Sequence, residues 1–401
     1  MAKKIAFYGF IDQNIGGLCS GHFLAIQSYC RNSKNNFLFL SSPGWLEPGR
    51  LSDLTNLEVE EVKINYSVFF GYLVRKAQDW SKRGGFKWLF STLILQILWR
   101  EIGGEIRKLL LNNGCDAILI AGFQNPWKFP GVKVVSWTQG PVFGEGEWLL
   151  KHPFLSISHY GLFKYFLTLT GYLIRGVVNW FDFRKSEIII CGSSWAKTVW
   201  RKWGCPKSKL IVLPYAYKRM APRIWKNGGP HDKSFLHLGR IVPRKRIELL
   251  IEAFSDPRLS SYSLTLVGQF VFPRGKKLVD KLPPNIFYRP QVDFSKVGEL
   301  YDEHKFLIQV SENENLGSSI MEAMALGVPV LLNRSNGTAD YVPKSDWHFF
   351  DKYEAEDLVQ AIMRASRATE GMECDWEAIE EHKKHFSPEV VGSKLAEIID
   401  G

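Results

Sequence analysis

The sequence has no C-x-x-C pair. Its six cysteines stand at 19, 30, 115, 191, 205 and 374 without regular spacing, which reads as a set of reduced intracellular thiols. No cluster of Asp or His has metal-ligand spacing, so no metal site is expected. Long apolar runs are missing where they would matter. In the two most aromatic stretches the uncharged runs end after Trp88–Trp99 and Tyr165–Ile174, 12 and 10 residues against the roughly 20 that cross a bilayer. The opening MAKKIAFYGF enters a strand with no apolar h-region and no small-residue cleavage site, so no signal peptide is expected. Acidic residues are scarce in one half. Residues 1–215 hold 26 Lys and Arg against 14 Asp and Glu, net +12, whereas the remainder holds 25 against 27, net −2. A basic half attracts phosphate-rich surfaces, while a near-neutral partner acts more locally.

What is present is ordinary globular material, 45% hydrophobic and 23% charged, in 401 residues, too many for one ordinary core. Apolar runs bounded by polar loops predict strands at Lys4–Phe10, Phe37–Leu40, Glu58–Val62, Ala117–Ala121, Lys133–Trp137, Ser186–Cys191 and Leu210–Pro214. A polar, basic segment with Gly228, Gly229 and Pro230 reads as a linker over 216–230. A second set of strands then begins at Phe235, Leu264, Asn285, Phe306 and Val330, so the domains are drawn at 1–215 and 231–385. A final helix, Pro388–Ile399, within residues 386–401, is expected to cross back onto the first domain.

The chain is organised around FLIQVSENENLGSSIMEAMALGVPVLL, Phe306–Leu332, a unit of strand, loop, helix and strand. Ser319 stands three residues before Glu322, the spacing of a capping box, and Gly327 can supply the left-handed residue that ends the helix. Glu314 lies in the loop, eight positions before Glu322, with Gly317 between them. In open parallel sheets ligands sit beyond the carboxyl ends of the strands, where helix amino ends attract anions. On its own Glu322 reads as a capping residue or as a ligand. At the end of the Phe235 strand, Gly239, Arg240 and Lys245 place two cations on one loop. Those suit a diphosphate or form a solvated basic turn.

The wording E-x(7)-E followed by EAMALGVPV resembles the retaining glycosyltransferases of the GT4 family, the glycosyl transferases group 1. The resemblance implies an α/β chain of GT-B architecture, two Rossmann-like domains with parallel sheets facing a cleft. It also implies that a nucleoside diphosphate sugar is the donor, with no further cofactor. Glu314 would meet the sugar hydroxyls and Glu322 the ribose diol, while Leu316, Gly317 and Ser318 would offer loop amides to the distal phosphate. Arg240 and Lys245 would stabilise the leaving diphosphate in place of a metal. Gly239 and Gly268 would sit at strand ends against the donor, Arg289 would border the base, and Gly16 and Gly17 would face the cleft from the first domain. Four positions depart from the family's pattern. Gln139 stands where many members carry His, which excludes acid–base chemistry there. Asn315 replaces a glycine in the loop, GQFVF lacks the family's second glycine, and Asp340 replaces a Glu in the turn Asn336–Asp340.

Two stretches of the basic half, 64–111 and 148–185, mix Phe, Trp and Leu with Lys and Arg. They read as helices lying in the interface of an anionic membrane or as core helices of the first domain. With the resemblance, they imply a lipid-linked or polysaccharide acceptor in cell-surface glycan assembly, with the protein peripheral at the cytoplasmic face of the plasma membrane and nucleic acid not expected as a partner. Glu145 and Glu147, in GEGEW, read as solvated loop charges. A non-catalytic scaffold of the same fold, or a glycosyltransferase acting on nucleic acid, is the competing reading.

Overall fold

The computed structural model of the chain describes residues 2–9, 18–41, 54, 56–62, 101–122, 125–138, 140–141, 143–217, 220–224, 232–272 and 274–401. Gly16, Gly17, Gln139, most of the 64–111 stretch and most of the linker lie outside the described residues.

Two parallel sheets form the frame. The first has seven strands in the order β3-β2-β1-β4-β5-β6-β7: β1 Lys4–Gly9, β2 Asn36–Ser41, β3 Leu57–Glu61, β4 Ala117–Ala121, β5 Lys133–Trp137, β6 Ile188–Cys191 and β7 Leu210–Val212. The second has six in the order β10-β9-β8-β11-β12-β13: β8 Ser234–Leu238, β9 Ser263–Val267, β10 Ile286–Arg289, β11 Phe306–Gln309, β12 Val330–Asn333 and β13 Phe349–Phe350. Strands buried on both faces read as continuous apolar runs, which is why most were visible in the sequence. Two residues are too few to make such a run, and β13 was not expected.

The strand order reverses between β1 and β4 in the first sheet and between β8 and β11 in the second. At such a switch point the loops leaving the two central strands part in opposite directions and open a crevice at the carboxyl end of the sheet.

The Pro388–Asp400 helix lies against the Leu18–Asn32 helix of the first domain. Tyr29 Oη and Asn35 Nδ2 donate to Asp400 Oδ1 at 2.7 and 2.8 Å. Lys133 Nζ caps the free carbonyls of Ile398 and Ile399 at 3.1 Å, as a cation at a helix carboxyl end should. Gly392 makes the approach possible, because a Cβ there would lie 2.8 Å from Ser28 Cβ.

The 148–185 stretch folds as three helices, Phe143–Lys151, Pro153–Tyr160 and Leu162–Asp182. Trp148, Leu149, Tyr165 and Leu169 bury one side of them. The other side carries a stripe of exposed Phe163, Phe166, Leu173, Ile174, Val177 and Phe181, spaced as one helix face. Among the described residues, no helix is long and apolar enough to cross a membrane.

Candidate active site

Two strand ends meet at the crevice of the second sheet. Gly268, with φ +152°, closes β9 directly against Gly239 at the end of β8. A Cβ on Gly268 would lie 1.9 Å from the Gly239 carbonyl oxygen, so no other residue fits. Above this floor opens a cleft of about 360 Å³. Gly239, Arg240, Gly268, Ser318 and Glu322 all line it, five of the residues singled out in the sequence. Arg240 is exposed at its mouth.

The helix Ser318–Leu326 points its amino end at this cleft, with Gly317 as the N-cap. The expected capping box does not form. Ser319 lies inside the first turn, and its Oγ accepts from Gln309 Nε2 at 3.0 Å. Glu322 is instead held by two tyrosines: Tyr217 Oη donates to Oε1 at 2.8 Å and Tyr301 Oη lies 3.1 Å from Oε2. Burial pushes the Glu322 carboxyl above its ordinary range, and the two tyrosine bonds pull the other way. A carboxylate so oriented keeps lone pairs for a diol approaching from the cleft. Neither tyrosine was read as a site residue. They sit 84 positions apart (217 and 301), so no local pattern joins them.

Glu314 and Lys245 lie on the loops that leave β11 and β8, the two strands at the switch point. Lys245 Nζ donates to Glu314 Oε2 at 2.6 Å, and Arg244 Nη1 donates to the same oxygen at 2.9 Å. Burial alone would raise Glu314; the Arg244 and Lys245 charges overcome it and hold the carboxyl down at about 2. Arg244 stands in the basic run P-R-K-R beside Lys245, and nothing local in the sequence marks it as a partner of Glu314.

One expectation is corrected here. The Gly317 amide does not face an open phosphate site, because it donates to Thr338 Oγ1 at 2.8 Å. The Arg289 side chain pairs with Glu303 at 2.7 Å, beside the Val297–Glu303 helix. The Leu316 side chain is buried against the first domain, where a Cβ on Gly192 would come within 2.7 Å of its Cδ1.

The other side of the seam belongs to the first domain. Glu145 and Glu147 are not solvated loop charges but residues of the Phe143–Lys151 helix. Glu145 accepts from Arg244 Nε at 2.7 Å and Glu147 from Trp203 Nε1 at 2.9 Å. Glu312 is buried among Trp148 Nε1 at 2.7 Å, His152 Nε2 at 2.6 Å and Arg246 Nη1 at 2.6 Å. Asn313 and Arg246 are the two described non-glycine residues with positive φ, 51° and 50°. Such backbone costs about 1–3 kcal/mol and persists where the surroundings demand it. Here both side chains serve the seam, Asn313 Nδ2 reaching Gly144 O at 2.6 Å. Asn315, in place of the family's glycine, accepts from Ser193 Oγ at 2.8 Å. Asp340 binds the amide and hydroxyl of Ser194 at 2.7 and 2.8 Å, at the amino end of the Ser194–Lys202 helix. Among the described residues, no group of three or more His, Cys, Asp or Glu is placed to hold a metal ion.

Two Rossmann-like domains facing one another across this seam, with the crevice at the carboxyl ends of the strands, define the GT-B class of fold. Residues 224–375, which contain the cleft, match the family described as Glycosyl transferases group 1. Over the whole chain the fold is similar to that of Anabaena HepE in complex with UDP and glucose. The TM-score is 0.59 at 14% identity, covering 100% of both chains. It is also similar to sucrose-phosphate synthase from Thermosynechococcus elongatus, with TM-score 0.65 at 13% identity over 100% of this chain and 98% of that one. At such identities the likeness is one of fold. In sequence, 174 residues are 25% identical to a sulfoquinovosyl transferase of Arabidopsis thaliana, 42% of this chain and 33% of that protein. The match therefore spans a third of the relative's length.

Proposed function

We propose that the chain is a retaining glycosyltransferase that moves a sugar from a nucleoside diphosphate donor to a membrane-associated lipid-linked or polysaccharide acceptor. One observation carries the reading: Gly239, Arg240, Gly268, Ser318 and Glu322, from three separate stretches of the chain, line a single cleft at the switch point of a parallel sheet. In this reading Glu322 takes the ribose diol, and Arg240 with the helix amino end at Ser318 takes the diphosphate. Glu314 faces the sugar, and Lys245 shares its charge between Glu314 and the departing phosphate. Fixed cations stabilise charge as the phosphate leaves, without need of a metal. That phosphate accepts the acceptor's proton on the face from which it departs, so the anomeric configuration is kept and Gln139 need not titrate.

Membrane contact is supported by the side chains that the first domain leaves in water. Phe154 and Phe163 are 86% and 81% exposed, with Leu162 and Phe166 beside them and Lys151 and Lys164 nearby in sequence. Such a surface suits the headgroup boundary of an anionic bilayer. In this reading the enzyme is peripheral at the cytoplasmic face of the membrane.

The test is thermal stability with UDP, GDP, ADP, dTDP and CMP, beginning with UDP. A ligand at a hundred times its dissociation constant adds about 2.7 kcal/mol. One nucleotide should stabilise the wild type and neither Glu322→Ala nor Arg240→Ala. If no nucleotide stabilises the wild type, the reading falls and the scaffold reading replaces it.

A further inference from the structure

The Phe143–Lys151 helix has two working faces. Glu145 and Trp148 look into the seam, at Arg244 and Glu312. The opposite face, Phe143, Gly146, Glu147 and Leu150, follows the i, i+3, i+4, i+7 spacing and lines a separate cavity of about 300 Å³. Leu173 and Val177 of the Leu162–Asp182 helix form its facing wall, which is almost wholly apolar. Two glycines hollow it out. Gly146 offers no side chain where a Cβ would reach Tyr172 Cβ at 3.5 Å, and Gly176 none where one would meet the Phe143 ring at 3.0 Å. A core helix pair would fill such space; an unfilled apolar pocket of this size suits an apolar ligand.

From these observations we infer that this cavity holds one hydrocarbon chain of the lipid-linked acceptor. The occupant is argued from three features. Leu173 and Val177 at its wall continue the exposed stripe of Phe163, Phe166 and Ile174, so a chain can enter from the bilayer without crossing water. The cavity's border carries a cation: Arg184 stacks 3.8 Å from the ring of Trp180, which lines the cavity. That guanidinium suits an anionic phosphate at the head of the chain. Finally, the cavity and the seam are opposite sides of one helix about 10 Å across, so a phosphate and sugar at the head of the chain can reach the seam between the domains. The inference rests on the glycosyltransferase reading for the identity of the ligand as an acceptor, and it selects the lipid-linked class over free polysaccharide.

The test uses the full chain, photolabelled with dodecyl phosphate bearing a terminal diazirine, next to its hexyl analogue. Labelling should fall within residues 143–150 and 172–180, and the hexyl compound should label about tenfold less or weaker still, because each buried methylene adds to binding. Gly146→Leu plugs the cavity from within and Val177→Trp, at a 59% exposed position, plugs it from its mouth without touching the core. Each should lower labelling about tenfold. Flotation on phosphatidylcholine vesicles containing phosphatidylglycerol should be unchanged in Gly146→Leu, which adds nothing to the exposed stripe. Labelling that is scattered, or unchanged in both variants, overturns the inference. Flotation that falls in step with labelling also overturns it, since the occupant is then a bilayer lipid. Nucleotide stabilisation, read on the same samples, separates the two ideas. Wild-type labelling that misses the cavity while nucleotide binding is intact overturns the cavity assignment alone, whereas cavity labelling without any nucleotide binding overturns the acceptor identity together with the glycosyltransferase reading.

Discussion

Arg244 and Glu145 meet across the seam, Nε to Oε1 at 2.7 Å, while the far side of the same guanidinium holds Glu314 at 2.9 Å. The planar fork thus fixes the first domain and the sugar-facing carboxylate with one side chain, which a lysine cannot imitate. Arg244→Lys should lower kcat/KM for donor turnover roughly 10–100-fold, the scale of a small misplacement at a reacting centre. UDP stabilisation should be unaltered, because Arg244 does not line the nucleotide cleft. Equal loss of both would show that the fork acts on overall folding rather than on the site.

Glu314 should leave a signature in acid. Its carboxyl is depressed from 4.5 to about 2 in the folded chain by Arg244 and Lys245. A depressed carboxyl contributes stability that is complete above the unfolded value near 4.5 and is lost as pH falls towards 2. Glu314→Gln leaves two buried cations without their carboxylate and should cost roughly 3–5 kcal/mol at pH 7. The gap between wild type and variant should narrow steadily between pH 5 and about pH 2 in urea titrations. A gap independent of pH would remove the ion pair from the account.

Tyr217→Phe deletes the bond to Glu322 Oε1 and nothing else that the geometry assigns to that hydroxyl. A hydrogen bond to a charged group contributes about 1.5–3 kcal/mol, so the variant should lose that much in urea unfolding. The nucleotide-induced shift should shrink as well, since Glu322 then keeps only Tyr301 to orient it.

Gly392→Val tests the docking of the last helix. The added side chain meets Ser28 Cβ at 2.8 Å and the Ala25 carbonyl at 3.0 Å. Trypsin should release the C-terminal segment from the variant well before the wild type, with the family-matching domain left intact on the gel.

The strands and the donor cleft were legible because their signals are local. Lys133–Trp137 and Ala117–Ala121 were drawn to the residue. Gly239, Arg240, Gly268, Ser318 and Glu322 stand at strand ends or helix starts, the places where backbone must approach a ligand. The seam was not legible. Glu145 looked like a loop charge because its partner, Arg244, is 99 positions away, and Glu312 looked like any polar loop residue. Ser319 misled in the other direction. The S-x-x-E spacing was present, but Gln309 and the tyrosines offered both side chains better partners than helix amides. Composition alone found the aromatic, basic stretch 148–185. The exposed stripe and the cavity behind it depend on how three helices share one buried face.

The last helix completes the domain that is made first. Tyr29 and Asn35 must wait for Asp400 before their hydrogen bonds exist. At 5–20 residues per second the ribosome needs roughly 10–40 s to pass from residue 217 to residue 400. Through that interval the emerged first domain keeps one flank of its opening helix bare. A chaperone that shields this flank during synthesis would do more for the yield of folded protein than any change at the cleft.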